Sequence, residues 1–487
     1  MIIDIVQKST HVDISHSTKE GKIVVTSVPL PENGYENWVI CSENDPDKDP
    51  VFRNFKGEPV KRLPGARFWD LNLNEFVSKR LSPELDESIH SNYVPEMFSV
   101  DIETEIKDEF PGAEEAKTRI LVFTITAPNM ATLVLSLKEK AHEIDDSKVS
   151  QYIEEAMDKL EWGKQLRPSN GWQWVNQVFD TEGEMITYFL DLMRTTMGYI
   201  GGWNFHAYDW KYITNRCSKL GIDLGRSSPE HEIDREGYPI HRIVHDYMHQ
   251  YQRSAYDYEN ESFSLDAVSQ WELGIGKLDY GGLGLKELYE QDYSKYIAYA
   301  IVDTALVQLI HKKTARSEWV FAFGEYLRIG VKQANGSLAQ ADALCFEDMY
   351  VNNVVYGVQK QSVEKEPYEG GFVKNPVRKY CDYPVGYDAK ALYPNTMRSL
   401  NLSFENYIGK AANDTEAKAY LQKGYIVTER NNVYKNDKDY MYKRIQEKLA
   451  NQRAQFQNLQ NDIWTNALSV LDSEAERRGI KLKKHDS

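Results

Sequence analysis

Cysteine is scarce: Cys41, Cys217, Cys345 and Cys381 are the only 4 among 487 residues. They are far apart, with no CxxC pair and no Cys/His cluster at zinc spacing, which excludes a disulfide framework and the common zinc modules. Isolated reduced thiols in apolar surroundings are expected instead. Long apolar runs are also missing, and no stretch approaches the length of a membrane-crossing helix. Met1 to Lys8 lack the basic start, apolar centre and small-residue cleavage site of a secretory signal, so the cytoplasm is the expected compartment. Positive charge is in deficit, with 58 Lys+Arg against 74 Asp+Glu, for a net charge of −16. That balance excludes a protein that coats nucleic acid by bulk charge. It leaves room for a local basic groove, since salt confines charge effects to about 8–10 Å. Internal repeats, low-complexity tracts and heptad arrays are absent as well.

What remains is the composition of globular domains with real cores, at 41% hydrophobic and 27% charged residues. The predicted fold class is α/β (α+β) and multidomain. Residues 1–96 read as a β-rich N-terminal domain. Its strands near Ile23 to Val28 and Asn37 to Cys41 are separated by turn residues Pro31-Glu32-Asn33-Gly34. From Met97 the pattern changes. Met97 to Glu103, Arg119 to Thr126 and Ala131 to Leu137 read as successive strands. Thr181 and Glu184 form a capping box ahead of an apolar stripe of Met185, Tyr188, Phe189, Leu192 and Met193 at helical spacing. Tyr199 to Trp203 reads as another strand, and Tyr208 to Leu220 and Ser294 to Arg316 as helices. This second domain covers residues 97–316, followed by a return segment over 317–370 and a last region over 371–487. In that region Val385 to Tyr387 reads as a strand leading into Asp388, and Tyr440 to Arg478 as a polar helix.

Three acidic motifs stand out. In Phe98-Ser99-Val100-Asp101-Ile102-Glu103-Thr104, strand alternation turns Asp101 and Glu103 to one face while Val100 and Ile102 enter the core. Acid-x-acid should occur about ten times by chance in so acidic a chain, so a solvated face explains this motif equally well by itself. In Gly202-Trp203-Asn204-Phe205-His206-Ala207-Tyr208-Asp209, Asp209 sits at a strand-to-helix transition, where it serves as a helix cap, a metal-site carboxylate, or both. His206 lies in the loop before it and reads as a structural or DNA-facing residue. In Tyr299-Ala300-Ile301-Val302-Asp303, tyrosine and acid are four apart and share a helical face. A half-buried tyrosine beside an exposed acid is the plain alternative.

Together, in this order and spacing, the motifs resemble Exo I, II and III of the DEDDy 3′→5′ exonucleases, which have a ribonuclease H-like fold. Phosphodiester hydrolysis needs a hydroxide near neutral pH and stabilisation of the departing 3′ oxygen, and two metal ions do both. Hard Mg²⁺ or Mn²⁺ prefers oxygen ligands, hence carboxylates. The resemblance implies that Asp101, Glu103 and Asp303 surround one metal and that Asp101 also touches the second. Asp209 then helps hold the second ion's water shell, and Tyr299 orients the attacking water.

Further along, Tyr387-Asp388-Ala389-Lys390-Ala391-Leu392-Tyr393-Pro394-Asn395 looks like motif A of family B DNA polymerases. Tyr368-Glu369-Gly370-Gly371 resembles the joint between their exonuclease and polymerase modules, and Ser262 to Val268 matches a stretch of the tailed-phage branch. The resemblance runs from about Phe98 to Phe404. It implies that Asp388 is one of two polymerase metal carboxylates, and that Leu392 and Tyr393 meet the incoming dNTP, with Tyr393 obstructing a ribose 2′-OH. Ala391 and Asn395 depart from the usual serines, and Tyr-Pro after a strand is also ordinary turn chemistry. Motifs B and C are not found, so one aspartate cannot by itself organise two-metal transfer.

The expectation is therefore the N-terminal half of a split family B polymerase: a complete proofreading exonuclease and the start of palm and fingers. The implied partners are a DNA primer–template, a single-stranded 3′ end, a second polypeptide carrying motifs B and C, and a sliding clamp. If the protein is viral, the compartment is the host cytoplasm. Lys374, Arg378, Lys379, Lys390 and Arg398, with Arg477, Arg478, Lys481, Lys483 and Lys484, offer phosphate or acidic-partner contacts, or simply a solvated surface. The competing readings are a stand-alone exonuclease with a vestigial polymerase segment, and a non-catalytic DNA-binding or assembly subunit. Residues Glu232 to Ile243 are a short candidate for a strand-separating hairpin.

Overall fold

The computed structural model describes residues 2–8, 10–18, 22–29, 35–65, 94–107, 109–160, 162, 171–255, 257–355, 374–375, 380, 382–383, 385–389 and 391–477. They form two compact units: Met1–Gly34 with Trp69–Gln340, and Tyr35–Phe68 with Ala341–Ser487. Among the described residues no helix is long and apolar enough to cross a membrane.

The first unit is built on a six-stranded sheet. Its spatial order is Trp174–Phe179, Thr132–Leu137, Ile120–Thr126, Phe98–Thr104, Tyr199–Gly202, Ile243–Asp246. The three strands that follow one another in sequence, from Phe98 to Leu137, pair antiparallel. The flanking strands join in parallel, each after a helical crossover, as parallel pairing requires. This is the ribonuclease H-like arrangement expected from the motifs. Ile120–Thr126 is buried at every position, which explains its near-continuous apolar sequence: both of its faces are covered.

Two helices cover the sheet for different reasons. Glu182–Thr195 begins with the predicted capping box at Thr181 and Glu184 and stacks Phe189 on Phe123 with ring centroids 4.5 Å apart. Tyr293–Thr314 shows no amphipathic stripe because it is buried nearly all round through Ile310. Hydroxyls and an amide seat it on the strands. Ser99 Oγ donates to the Thr304 carbonyl at 2.8 Å, Thr304 and Thr126 hydroxyls meet at 2.8 Å, and Gln308 Nε2 donates to the Met97 carbonyl at 3.1 Å. One buried ion pair ties helix to helix: Glu182 accepts from Arg216 Nε at 2.9 Å and from the Ile120 backbone N–H at 2.8 Å. An antiparallel meander of Ile2–Gln7, His11–Ser17 and Ile23–Pro29 belongs to the same unit.

In the second unit, strands Tyr35–Ile40 and Val60–Gly65 pair antiparallel, and Trp38, Val60 and Val355 form a small core. Met349, Met441 and Ile445 make another, from helices Ser337–Val351 and Met441–Arg477. Tyr407–Lys410, Asn432–Tyr434 and Ile426–Val427 form a three-stranded sheet.

The structure corrects one sequence expectation. Residues 385–388 form no strand. A strand is defined by its ladder, and among the described residues nothing pairs with this segment. The turn at Pro31 to Gly34 and the joint at Tyr368 to Gly371 lie outside the described residues, as does Cys381. Cys41, Cys217 and Cys345 are free thiols, as expected. The segment from Glu232 to Ile243 is a tight turn closed by an Ile233–Pro239 bridge.

Candidate active site

The site begins at the middle of the sheet. Strand Phe98–Thr104 lies between Ile120–Thr126 and Tyr199–Gly202, with Val100 and Ile102 buried and Asp101 and Glu103 sharing one face. Asp101 keeps part of its surface accessible, whereas Glu103 is buried.

Asp209 arrives from the neighbouring strand. At Gly202 an added Cβ would come within 2.4 Å of the Phe205 ring and 2.6 Å of the Val100 carbonyl. Glycine there lets the chain turn sharply off the strand, and Asn204 takes a left-handed φ of 60° in the same turn. Asp209 is the first residue of helix Asp209–Leu220 and does not cap it. Its Oδ1 instead accepts the Ile102 backbone N–H at 3.1 Å, which fixes it between the two acids of the first motif. Tyr208 next to it bonds the Thr104 hydroxyl at 3.2 Å and donates to the Pro111 carbonyl at 3.1 Å.

Tyr299 and Asp303 come from the seated helix Tyr293–Thr314, both buried. Lys277 joins them: its Nζ donates to Asp303 Oδ2 at 2.6 Å and to the Tyr299 hydroxyl at 3.1 Å. The Lys277 backbone N–H is held by Asp266 Oδ1 at 2.8 Å, so the Ser262 to Val268 stretch positions this lysine. The sequence does not mark this lysine, because a single basic residue in a loop carries no spacing signal. Only the fold brings it to the acids.

The electrostatics bind the set together. Burial, then the charge of Asp303, pushes the Asp101 carboxyl up to about 7. Glu103 is raised by burial and by Asp101 and Asp303, and Asp209 by burial and by Asp101. Burial also raises Asp303, against the pull of Lys277. Burial alone would lower the Lys277 ammonium, but Asp303 overrides it and the net shift is upward. Burial and the surrounding acids keep the Tyr299 phenol protonated far above its ordinary range. Perturbation on this scale is typical of functional sites.

The residues fit divalent cations. Among the described residues Asp303 Oδ1 is buried without a hydrogen-bond partner, and four mutually repelling carboxylates call for positive charge. An all-oxygen set suits Mg²⁺ or Mn²⁺. Lys277 supplies the cationic charge in the present arrangement. Among the described residues, the grouping of three metal-ligating side chains drawn within 4.8 Å of one another is elsewhere, at Asp13, Glu230 and His241.

A pH dependence follows. A carboxyl raised on folding takes up a proton between its unfolded and folded values, here 3.8 and about 7 for Asp101. Its contribution to stability is complete below about pH 4 and is lost as pH rises through about 7. In chelator, the melting temperature of the wild type should therefore fall more steeply between pH 5 and pH 8 than that of Asp101→Asn. Adding Mg²⁺ at pH 8 should recover about 3 °C or more in the wild type. Equal pH slopes for the two proteins would contradict the charge repulsion.

His206 is held within the fold by two contacts. Its Nε2 meets the Val244 carbonyl at 3.0 Å, and its ring lies 5.0 Å from that of Tyr238. Asp388, Leu392 and Tyr393 are in the second unit, all exposed. Ala391 takes a left-handed φ of 50° and starts helix Leu392–Ser399. Among the described residues Asp388, like Asp101, Glu103, Asp209 and Asp303, belongs to no such close cluster of three metal-ligating side chains. Of the basic residues noted in the sequence, Lys374, Arg398 and Arg477 are described.

Sequence comparison agrees with this architecture. Residues 75–268 match the exonuclease domain of DNA polymerase family B, and residues 335–474 match the DNA polymerase family B domain itself. The chain belongs to DNA polymerase family B. It is similar to a DNA-directed DNA polymerase of Escherichia phage RB69, 25% identical over 378 residues, which is 72% of this chain and 40% of the relative. A DNA-directed DNA polymerase of Enterobacteria phage T4 is 25% identical over 408 residues, 76% of this chain and 43% of the relative. The chain thus spans about two fifths of the length of these relatives. Tyr299 and Asp303 lie beyond the matched exonuclease segment, and the folded helix is what carries them to Asp101.

Proposed function

We propose that this chain is a 3′→5′ proofreading exonuclease joined to the first part of a family B polymerase active site. The observation that carries the reading is the convergence of Asp101, Glu103, Asp209 and Asp303, with Tyr299 and Lys277, on the central strand of a ribonuclease H-like sheet. Two Mg²⁺ or Mn²⁺ ions, when bound, supply a hydroxide nucleophile and stabilise the leaving 3′ oxygen. Asp101, Glu103 and Asp303 would hold one, and Asp101 with Asp209 the second. Tyr299, locked protonated, orients the attacking water through its hydroxyl. Lys277 limits the repulsion among the acids and fixes the phenol. The substrate is a single-stranded DNA 3′ end.

With Mg²⁺, the chain should shorten single-stranded DNA from its 3′ end. Tyr299→Phe should slow that reaction by about 10²-fold, the usual scale for a positioned proton-transfer or orienting group, with Mg²⁺ affinity nearly unchanged by calorimetry. Loss of metal binding in that variant would contradict an orienting role.

The polymerase part is proposed on motif A. Asp388 contributes one metal carboxylate and Leu392 and Tyr393 receive the dNTP, once motifs B and C are supplied from outside these residues. A second polypeptide carrying those motifs is the proposed source, acting with primer–template DNA and a clamp in the host cytoplasm. A continuation of the same chain would bring the same carboxylate.

A further inference from the structure

The N-terminal meander and the segment before strand Ile243–Asp246 meet at a set of side chains that the exonuclease reading does not use. His241 is fully buried, at 0% exposure. Among the described residues, neither of its ring nitrogens has a hydrogen-bond partner. A neutral imidazole carries one donor and one acceptor, and buried polar atoms are normally satisfied, so the ring faces an unmet requirement. Its backbone takes a left-handed φ of 59°, a conformation that L-residues avoid without cause, and its N–H is fixed on Asp4 Oδ2 at 3.2 Å.

What the ring faces is acidic. Glu230 Oε1 lies 3.9 Å from His241 Nε2, while the other Glu230 oxygen is occupied by Lys8 at 2.7 Å. Asp13, at 2% exposure, completes the group, and one ligand atom from each of the three lies within 4.8 Å of the others. Asp13 Oδ1 is itself held in place, accepting from Ser27 Oγ at 2.5 Å and lying 3.3 Å from His11 Nε2. Lys8 is shared with Glu232, so the acids Asp4, Asp13, Glu230 and Glu232 outnumber the cation beside them.

We propose that Asp13, Glu230 and His241 form a binding site for a divalent transition-metal ion of the Zn²⁺ type. Imidazole nitrogen with two carboxylates suits Zn²⁺ and disfavours Mg²⁺ and Ca²⁺, which prefer oxygen throughout. Zn²⁺ bonds of about 2.0–2.1 Å in a tetrahedron put ligand atoms about 3.3 Å apart. The 3.9 Å contact therefore has to close by about 0.6 Å. Glu230 is half-buried and gives the ion its path in, with solvent in the fourth position. His11 and Ser27 orient Asp13, the kind of support that metal ligands ordinarily have. The bound ion would clip strand His11–Ser17 to the turn preceding strand Ile243–Asp246.

The test uses the full chain carrying Asp101→Ala and Glu103→Ala, so that the exonuclease carboxylates do not compete. After chelator stripping, calorimetric titration with ZnCl₂ should give one saturable Zn²⁺ per chain and a higher melting temperature. Glu230→Gln, a change at a partly exposed position, should weaken that binding at least about tenfold. Asp13→Asn and His241→Gln, each checked for native circular dichroism, should do the same. No saturable 1:1 binding, binding untouched by all three changes, or equal affinity for Mg²⁺ would each overturn the proposal. A ring that is simply protonated between two carboxylates gives the first of these results.

Discussion

With Asp101 and Glu103 both changed to alanine, Mg²⁺-dependent shortening of single-stranded DNA from its 3′ end should fall by about 10³-fold or more. That loss corresponds to the several kcal/mol of transition-state charge stabilisation that a bound cation supplies. Stability should move the other way. The two carboxyls are raised by burial and by neighbouring acids, so at neutral pH their charges oppose folding, and neutral replacements remove that repulsion. The variant should melt at the same temperature as the wild type in chelator, or higher, and should lose the increase that Mg²⁺ gives. Activity lost together with a lower melting temperature would instead point to a structural role. Undiminished digestion would remove the site altogether. Such opposed effects are the usual mark of residues kept for chemistry at a cost in stability.

The second large effect concerns Asp388. When a polypeptide carrying motifs B and C is added, primer extension should appear, and Asp388→Ala should reduce it by about 10³-fold or more on the same argument about charge. The exonuclease should be unaffected, because its residues all belong to the other compact unit. Extension by these 487 residues alone would contradict the need for a supplied carboxylate. Full extension by the Asp388→Ala chain would contradict its role. If the added polypeptide fails while a covalently continued chain succeeds, the source is a continuation of the same chain.

Much of the first unit could be read from the sequence, for reasons visible in particular residues. The strands near Phe98, Ile120 and Thr132 carry unbroken or alternating apolar runs, and Thr181 with Glu184 marks a helix start unambiguously. The helix at Tyr293–Thr314 is legible as a helical run over Ser294 to Arg316, although it lacks an amphipathic stripe. Strand Trp174–Phe179 and helix Asp146–Met157 are absent from the sequence-based expectation. The strand alternates weakly at a sheet edge, with Val175 and Val178 exposed, whereas the helix does carry signals in the sequence, a cap at Asp145 and a stripe of Val149, Ile153 and Met157 at helical spacing. In the site, the acids were legible as motifs. Lys277 was not, since its position depends on Asp266 and on the loop between them. Motif A was legible as a string of residues, but its strand needs partners that the described residues do not provide.

The helix bearing Tyr299 and Asp303 has almost no side turned to water from Tyr293 to Ile310, and three polar contacts pin it to the strands beneath. A slip of one residue would rotate it by about 100° and drive Ser99, Thr126 and Met97 against the wrong neighbours. That element has no room to drift. Adaptation to a different strand end, in evolution or in the laboratory, must therefore fall outside this helix, and also away from Gly202 and Lys277, whose places are equally fixed.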